Sequence, residues 1–323
     1  MDLLKDKILI TGASGMVGQA LREKLGETDN IFYTCSNYRD GYIACDLRDE
    51  IDTEELFNIL KPDYVFHLAA RVGGISANQN YLGDFYEDNA RINTNVLRCS
   101  KNHNAKKVLS LLSTCVYPNK VNYPLKEYSI HDGPPHESNY AYAYAKRMLD
   151  VQSRSYREQH GCNFITAIPN NLYGKHDNFH LEDSHVIPAM IRKIYEAKLK
   201  GEEVVLWGNG KSLREFTYSR DIADILVFLM DNYDEKIPIN IGNTEEISIK
   251  KLAHTIASVL HYKQEDVVWD LNKPNGQHRK PSNNDKLLKL GWEKENYTRL
   301  EDGLERMIKW FLANYPNVRG FDE

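Results

Sequence analysis

The 323-residue chain has no apolar run long enough to cross a bilayer as a helix, and its start, MDLLKDKILITGASG, lacks the basic region and long apolar stretch of a secretory signal. These absences point to the cytoplasm, where thiols stay reduced. Cysteine is scarce and odd in number. Cys35, Cys45, Cys99, Cys115 and Cys162 show no Cys-x-x-Cys spacing, which argues against a disulfide framework and a cysteine-based zinc site. An excess of positive charge is missing too: 41 Lys and Arg against 46 Asp and Glu leave a formal net charge of −5. That balance gives no reason to bind nucleic acid or an anionic membrane, so the expected partner is a small molecule. Repeats, low-complexity tracts and Gly/Ser linkers are absent. With 41% hydrophobic and 27% charged residues, collagen-like, coiled-coil and disordered classes drop out.

What is present is a rhythm of short apolar runs and amphipathic stretches. KILIT (7–11), NIFYT (30–34), YVFHLA (64–69), KVLSLLS (107–113) and NFITAIP (163–169) read as strands. Residues 17–25, 52–60, 90–103 and 141–159 read as helices, the second capped by Asp52 or Thr53. Strands alternating with helices at this spacing predict right-handed crossovers, hence an α/β fold with a doubly wound parallel sheet. After residue 170 the pattern changes to a polar loop, GKHDNFHLEDSH, then a helix over 186–200 and the short strand VVLWG. IPINIGN (237–243) is again strand-like. The expected division is a dinucleotide-binding domain over 1–170, rejoined by 237–247, with a smaller interleaved C-terminal α/β substrate lobe over 171–323.

Gly12-Ala13-Ser14-Gly15-Met16-Val17-Gly18 stands between a strand and a helix. Glycines there allow a tight turn and close backbone approach to a pyrophosphate, which sits on the helix N-terminus. The second strand ends in Thr34-Cys35-Ser36-Asn37-Tyr38-Arg39. The carboxylate that would select NAD through the ribose 2′-OH is missing, and Arg39 suits a 2′-phosphate, so the expectation is NADP; a merely solvated Arg39 is the competing reading. Asp46-Leu47 reads either as a carboxylate near the adenine or as an ordinary surface turn.

Tyr142 and Lys146 have i, i+4 spacing on a helix and project together. A cation beside a phenol lowers its pKa and lets it exchange a proton with a carbonyl or alcohol oxygen. In LLSTCVYP, Ser113 lies just past the end of a buried strand, where open α/β sheets bind ligands, and is placed to polarise a substrate carbonyl. His176 and His180 have i, i+4 spacing as well, but they sit in a loop without helical pattern, so no metal is expected and loop structuring is the reading.

TGASGMVG, HLAA, LLSTCVYP, Tyr142-x-x-x-Lys146 and PNNLYG together resemble the extended short-chain dehydrogenase/reductases that act on nucleotide sugars. More narrowly, RVGGISANQNYLGDF, STCVYP, NLYGKHDNFHLEDSHVIPAMI, LWGNGKSLREF and KPNGQHRKP are similar to the GDP-L-fucose synthase family, over nearly the whole chain. The resemblance implies epimerisation of a GDP-4-keto-6-deoxy sugar at C3 and C5 followed by reduction of the C4 ketone with NADPH. Cys115 and His185 match the family's proton-transfer pair, and Ser113, Tyr142 and Lys146 its reducing set. A thiol and an imidazole are both tunable to neutral pH.

By the same resemblance the cofactor is held by Gly12, Ser14, Gly15, Met16, Val17 and Gly18, by Arg39, Asp46 and Leu47, and by Leu68, Ala69 and Ala70 of HLAA. Leu111, Tyr142, Lys146, Pro169, Asn171, Leu172 and His185 complete that set. The substrate set comprises Ser113, Asn171, His185, Lys193, Trp207, Arg214 and Lys280, the guanidinium of Arg214 suiting a diphosphate. Asn275 replaces the acid of the family's KPDG, which leaves a sugar contact there in doubt. A C4 reductase alone, a synthase of a related GDP-deoxysugar or heptose, and a nucleotide-sugar 4-epimerase with bound NAD are the rival enzymes. A turnover-free scaffold is the rival outside enzymology, disfavoured because Ser113, Tyr142 and Lys146 are all present. Relatives dimerise through paired helices, so a homodimer is expected, with Met148, Leu149, Val151 and Tyr156 on candidate apolar faces.

Overall fold

The computed structural model describes residues 1–272 and 278–321. Along the chain lie β1 (Ile8–Thr11), α1 (Met16–Leu25), β2 (Ile31–Cys35), β3 (Ile43–Ala44), α2 (Glu50–Leu60), β4 (Tyr64–His67), α3 (Ile75–Asn80), α4 (Leu82–Asn102), β5 (Lys107–Leu111), α5 (Tyr140–His160) and β6 (Phe164–Pro169). There follow β7 (Asn171–Tyr173), α6 (Val186–Lys200), β8 (Val204–Trp207), β9 (Leu213–Tyr218), α7 (Ser219–Asn232), β10 (Ile239–Ile241), β11 (Glu246–Ser248), α8 (Ile249–Val259), β12 (Val267–Asp270), α9 (Asp285–Lys289) and α10 (Leu300–Asn314).

The strands of the main sheet are short and mostly apolar because both of its faces are covered. Side chains alternate between the faces. Ile8 and Ile10 of β1 join Leu21 and Leu25 of α1 and Ile222, Leu226 and Leu229 of α7 in one core. Leu9, between them in sequence, joins Leu56 and Phe57 of α2, Val96 and Leu97 of α4 and Leu149 of α5 in the core on the other face. A Leu9→Ala change would therefore leave a cavity, at a cost of about 2–5 kcal/mol.

The sheet runs β3-β2-β1-β4-β5-β6-β10, with its pairings parallel. Strand order reverses between β1 and β4, so the carboxyl ends of these two strands open the crevice where this architecture takes ligands. The sheet is thus the doubly wound one the alternating pattern predicts, and IPINIGN supplies β10 beside β6.

A second core gathers α6, α8 and α10 around β8, β9 and β12, with Ile191, Leu206, Phe216, Leu252, Ile256, Leu304 and Phe311 buried together. The helix α7 lies between these strands in sequence but packs on α1, where Lys24 pairs with Asp224 at 2.7 Å. Lys107, buried at the start of β5, donates to the Leu229 and Met230 carbonyls of its last turn at 3.2 and 2.7 Å.

Two helix starts differ from the sequence reading. Asp49 caps α2, accepting from the Ile51 and Asp52 N–H groups at 2.7 and 3.1 Å, so Asp52 and Thr53 lie inside the first turn. Helix α4 begins at Leu82, well before residue 90. Its polar first half hides two inward groups: Phe85, and Asn89, whose amide bonds the carbonyls of Arg71 and Phe85.

Candidate active site

The glycine turn is forced by its surroundings. Gly12 has φ 66°, and a Cβ there would stand 2.7 Å from the Ala69 Cα; a Cβ on Gly18 would stand 2.5 Å from the Ala13 Cα. Leu68 and Ala69 are held against the turn by Thr11, whose hydroxyl oxygen accepts from both of their N–H groups at 3.2 Å. Ala70 follows, half-buried. The Thr11 hydroxyl in turn donates to His67 Nδ1 at 2.9 Å, while His67 Nε2 donates to Asn93 Oδ1 at 3.0 Å. Asn93 then donates to the Ala145 carbonyl of α5 at 3.3 Å. Burial, with the nearby charge of Lys146, pushes the His67 pKa down to about 3, so the ring is neutral and every polar group in this chain is satisfied.

Gly15 starts α1 without a side-chain cap. The first-turn N–H groups of Met16, Val17 and Gly18 therefore offer an anion site, with Ser14 beside them. Arg39 stands exposed beyond β2, within electrostatic reach of the Cys35 thiol and of His176. Asp46 is already engaged by Arg48, whose Nε and a terminal nitrogen donate to it at 2.9 and 2.8 Å. Leu47 is buried, and its carbonyl accepts from Asn95 at 3.0 Å.

The chemistry-bearing residues of the first wall converge just past β5. After Leu111 the chain turns at Ser113, whose Oγ accepts the Cys115 N–H at 3.4 Å at the head of the short helical turn Thr114–Val116. Lys146 is 3% exposed, and its Nζ donates to the Leu111 carbonyl at 2.8 Å. It lies 5.9 Å from the centre of the Tyr142 ring. Burial brings the Lys146 pKa down to about 8. Burial also pushes the Tyr142 phenol well above its usual value, with the Cys115 charge adding to it. The lowering expected from Lys146 does not emerge: burial dominates, and the Lys146 Nζ is turned to the Leu111 carbonyl, 5.9 Å from the ring centre.

The Cys115 thiol is likewise raised by burial, opposed by its hydrogen bond with Ser113 and by the positive charges of Lys280, Lys146 and Arg147. Lys280, lowered to about 8 by burial, stands within electrostatic reach of both Cys115 and Arg214. Arg147 escaped the sequence reading. It fixes the turn after Cys115 by donating Nε to the Val116 carbonyl at 2.6 Å.

The second wall begins with a polar junction. Asn170, where the chain leaves β6 for β7, accepts from Thr217 Oγ1 at 2.7 Å and donates to the Asn243 carbonyl at 2.7 Å. Pro169 pairs with Ile241, Asn171 donates to the Glu215 carbonyl at 2.8 Å, and Leu172 packs on the main-sheet core. Lys193 lies 5.1 Å from the Trp207 ring centre, and Arg214 donates to the Leu213 carbonyl at 2.6 Å. Burial disfavours the charge on both Lys193 and Arg214, which a bound anion would offset.

His185 occupies the position before α6 in extended backbone and is exposed. Desolvation by the protein atoms around it, and then the charge of Arg319, lowers its pKa. His180 Nδ1 accepts from the Asp183 N–H at 3.0 Å, and His176 packs against Trp310 at 4.6 Å. Asn275 lies outside the described residues.

The walls meet through Phe85. Its ring packs edge-on against Tyr142 at 6.2 Å and would lie 3.2 Å from a Cβ on Gly73, next to Gly74, whose N–H donates to the Asp183 carbonyl at 2.7 Å. The structure thus brings Ser113, Cys115, Tyr142, Lys146 and Lys280 together. Among the described residues His185 makes no hydrogen bond to any of them, and Arg39 and Asp46 stand apart at the cofactor end.

A family model described as the NAD dependent epimerase/dehydratase family matches residues 8–242. A GDP-L-fucose synthase of Dictyostelium discoideum is 41% identical over 322 residues, covering 98% of each chain. The crystal structure of a GDP-L-fucose synthetase from Naegleria fowleri bound to NADP superposes with a TM-score of 0.89 at 39% identity, over 98% of this chain and 96% of that one. A GDP-D-glycero-L-gluco-heptose synthase from Campylobacter jejuni, crystallised in the presence of NADPH, has a TM-score of 0.86 at 29% identity, over 97% of this chain and 99% of that one.

Proposed function

The chain belongs to the NAD dependent epimerase/dehydratase family and within it to the GDP-L-fucose synthase family, and from that premise we propose that it converts GDP-4-keto-6-deoxy-D-mannose to GDP-L-fucose with NADPH. The observation that carries this reading is the gathering of Ser113, Cys115, Tyr142 and Lys146 at the carboxyl end of β5, beside the crevice between β1 and β4.

The residues fit NADP(H) on physical grounds: the uncapped N-terminus of α1, the tight turn that Gly12 permits against Ala69, and the exposed Arg39 with no carboxylate closing β2. When bound, this cofactor supplies the hydride for the C4 carbon. The turn Gly12 to Gly18 would hold the pyrophosphate, Arg39 the 2′-phosphate and Lys146 the ribose.

A C4 ketone acidifies the C–H groups at C3 and C5, so groups on either side of the ring can remove and return protons through an enolate. Cys115 takes that role from the first wall. Lys280, Lys146 and Arg147 oppose the burial that keeps its thiol protonated. His185, held neutral by its lowered pKa, takes it from the second. Tyr142, kept protonated, donates its proton to the C4 oxygen while Ser113 donates a hydrogen bond to the same atom. Arg214, Lys193 with Trp207, and Lys280 would receive the sugar and its diphosphate, with Asn171 near the sugar.

Incubation with the keto sugar and NADPH in deuterated water is expected to give product labelled at C3 and C5. Cys115→Ser is expected to abolish the label and leave direct ketone reduction. Unlabelled product from the parent enzyme would instead support the heptose-synthase or C4-reductase reading, which the 29% identity to the heptose synthase favours less than the 41% and 39% matches.

A homodimer fits the packed helices α4 and α5, which expose Tyr86, Tyr144, Met148 and Val151, whereas Leu149 is buried inside the subunit. Light scattering at micromolar concentration tests it. The five unpaired cysteines, with no described helix long and apolar enough to cross a membrane, fit residence in the reducing cytoplasm.

A further inference from the structure

The segment between β7 and His185 contains no strand or helix, so its shape depends on what packs against it. Its internal hydrogen bonds leave one buried group unmatched. Asp177 is 5% exposed, one of its carboxylate oxygens has no hydrogen-bond partner, and burial raises its pKa to about 7. One external support is Gly74, whose N–H donates to the Asp183 carbonyl and whose missing side chain leaves room for the Ser184 carbonyl.

Helix α10 adds Trp310 and Phe311 against His176 and Phe179, and a further support comes from the far end of the chain. The Phe179 N–H donates to the Arg319 carbonyl at 2.8 Å. Arg192 of α6, itself buried, donates from one terminal nitrogen to the Phe179 carbonyl at 3.2 Å and the Gly320 carbonyl at 2.9 Å. Its Nε bonds Glu196 at 2.7 Å, and its guanidinium lies 4.3 Å from the Phe321 ring centre. Gly320 has φ 80°, and a Cβ there would collide with Asn178 Oδ1 and stand 2.6 Å from the His180 nitrogen. Asn178 Oδ1 accepts the His180 N–H at 3.0 Å, and His180 Nδ1 accepts the Asp183 N–H at 3.0 Å. An unbroken run of contacts thus leads from residue 320 to residue 183, two positions before His185.

We propose that the segment Val318–Phe321, clasped by Arg192, is a positioning element for His185: it sets the geometry of proton transfer at the second wall and leaves ketone reduction to the first. Arg192 and Gly320 are the positioning residues. The inference rests on the role given above to His185. Gly320→Val forces a side chain into the contact with Asn178, and Arg192→Gln removes the donor that joins the tail to Phe179.

The test measures deuterium incorporation at C3 and C5, and separately the NADPH oxidation that reduces un-epimerised ketone, in the full-length protein. Both variants are expected to lose incorporation by about 10²-fold, the penalty of misplacing a catalytic group by about 1 Å. Direct reduction should change by less than about 2-fold, and Arg192→Lys should restore part of the incorporation. A parallel fall in both rates, or no change in either, overturns the proposal; should Gly320→Val fail to fold, Gly320→Ala makes the same comparison. His185→Gln separates the two readings. Incorporation that survives it removes the role of His185, whereas incorporation lost in His185→Gln but retained in the Gly320 and Arg192 variants removes the tail's role alone.

Discussion

The two walls of the cleft are built by different means. Ser113, Cys115, Tyr142 and Lys146 sit on or beside β5 and α5, with the Lys146 bond to Leu111 and the Arg147 bond to Val116 tying the catalytic turn to the helix. Behind them the polar run Thr11, His67, Asn93 and Ala145 links the cofactor turn to the same helix. His185 is carried by an irregular loop held by Gly74 on one side and the chain's last described residues on the other. The groups proposed for ketone reduction are tied to a strand end and a helix. The proposed partner, His185, is set by contacts that can be altered without disturbing the sheet.

The largest effect that sharpens this contrast is expected at Tyr142. Tyr142→Phe removes the proton donor while keeping the ring's packing on Phe85, and should lower kcat for ketone reduction by about 10²–10⁴-fold with exchange at C3 and C5 retained. Equal loss of both reactions would show that the walls do not divide the work.

The next effect is on stability and has opposite signs at the two walls. His67, with its pKa lowered to about 3, refuses a proton that the unfolded chain accepts below about 6.5, so its contribution falls as pH falls through that window. Asp177, raised to about 7, keeps a proton that the unfolded chain releases above about 4, so its contribution rises as pH falls from 7 towards 4. Each slope is about 1.4 kcal/mol per pH unit at most. Urea titrations at pH 5 and 7 should show His67→Gln reducing the acid loss and Asp177→Asn removing the opposing gain. Unchanged pH dependence in both variants would break the assignment.

The smallest effect is expected from Arg319→Gln. Arg319 adds to the lowering of the His185 pKa after burial itself, and it is exposed, so salt screens it. Its removal should move the His185-dependent limb of the proton-exchange pH profile to higher pH and leave the reduction profile in place. A shift in the reduction profile would mean that Arg319 acts on both walls.

Much of the first wall was legible in the order of residues. The glycine turn, the strand before Ser113 and the Tyr142 to Lys146 spacing are each written within a few adjacent positions, where periodicity and turn chemistry operate. The internal run behind them was not. Thr11 and His67 meet only because β1 and β4 pair in the register that sets Thr11 opposite His67. Lys280 entered the substrate set through the family resemblance alone, and its place beside Cys115 follows from the pairing of Leu125 with Ser282. The helix α7 falls in the 171–323 lobe by position, and its packing on α1 comes from Ile222, Leu226 and Leu229 sharing a core with Leu21 and Leu25, far apart in sequence.

Alone, the sequence determined the alternating α/β plan, the class of cofactor turn and the residue types available for proton transfer, because each depends on spacing inside one element. Only the tertiary structure decided how those groups are tuned and held. The high pKa of Tyr142 and the low one of Lys146 come from burial, and the placement of the His185 loop comes from a bond between Arg192 and Gly320, 128 positions apart. Burial and long-range contact are properties of the packed chain, and no window of neighbouring residues contains them.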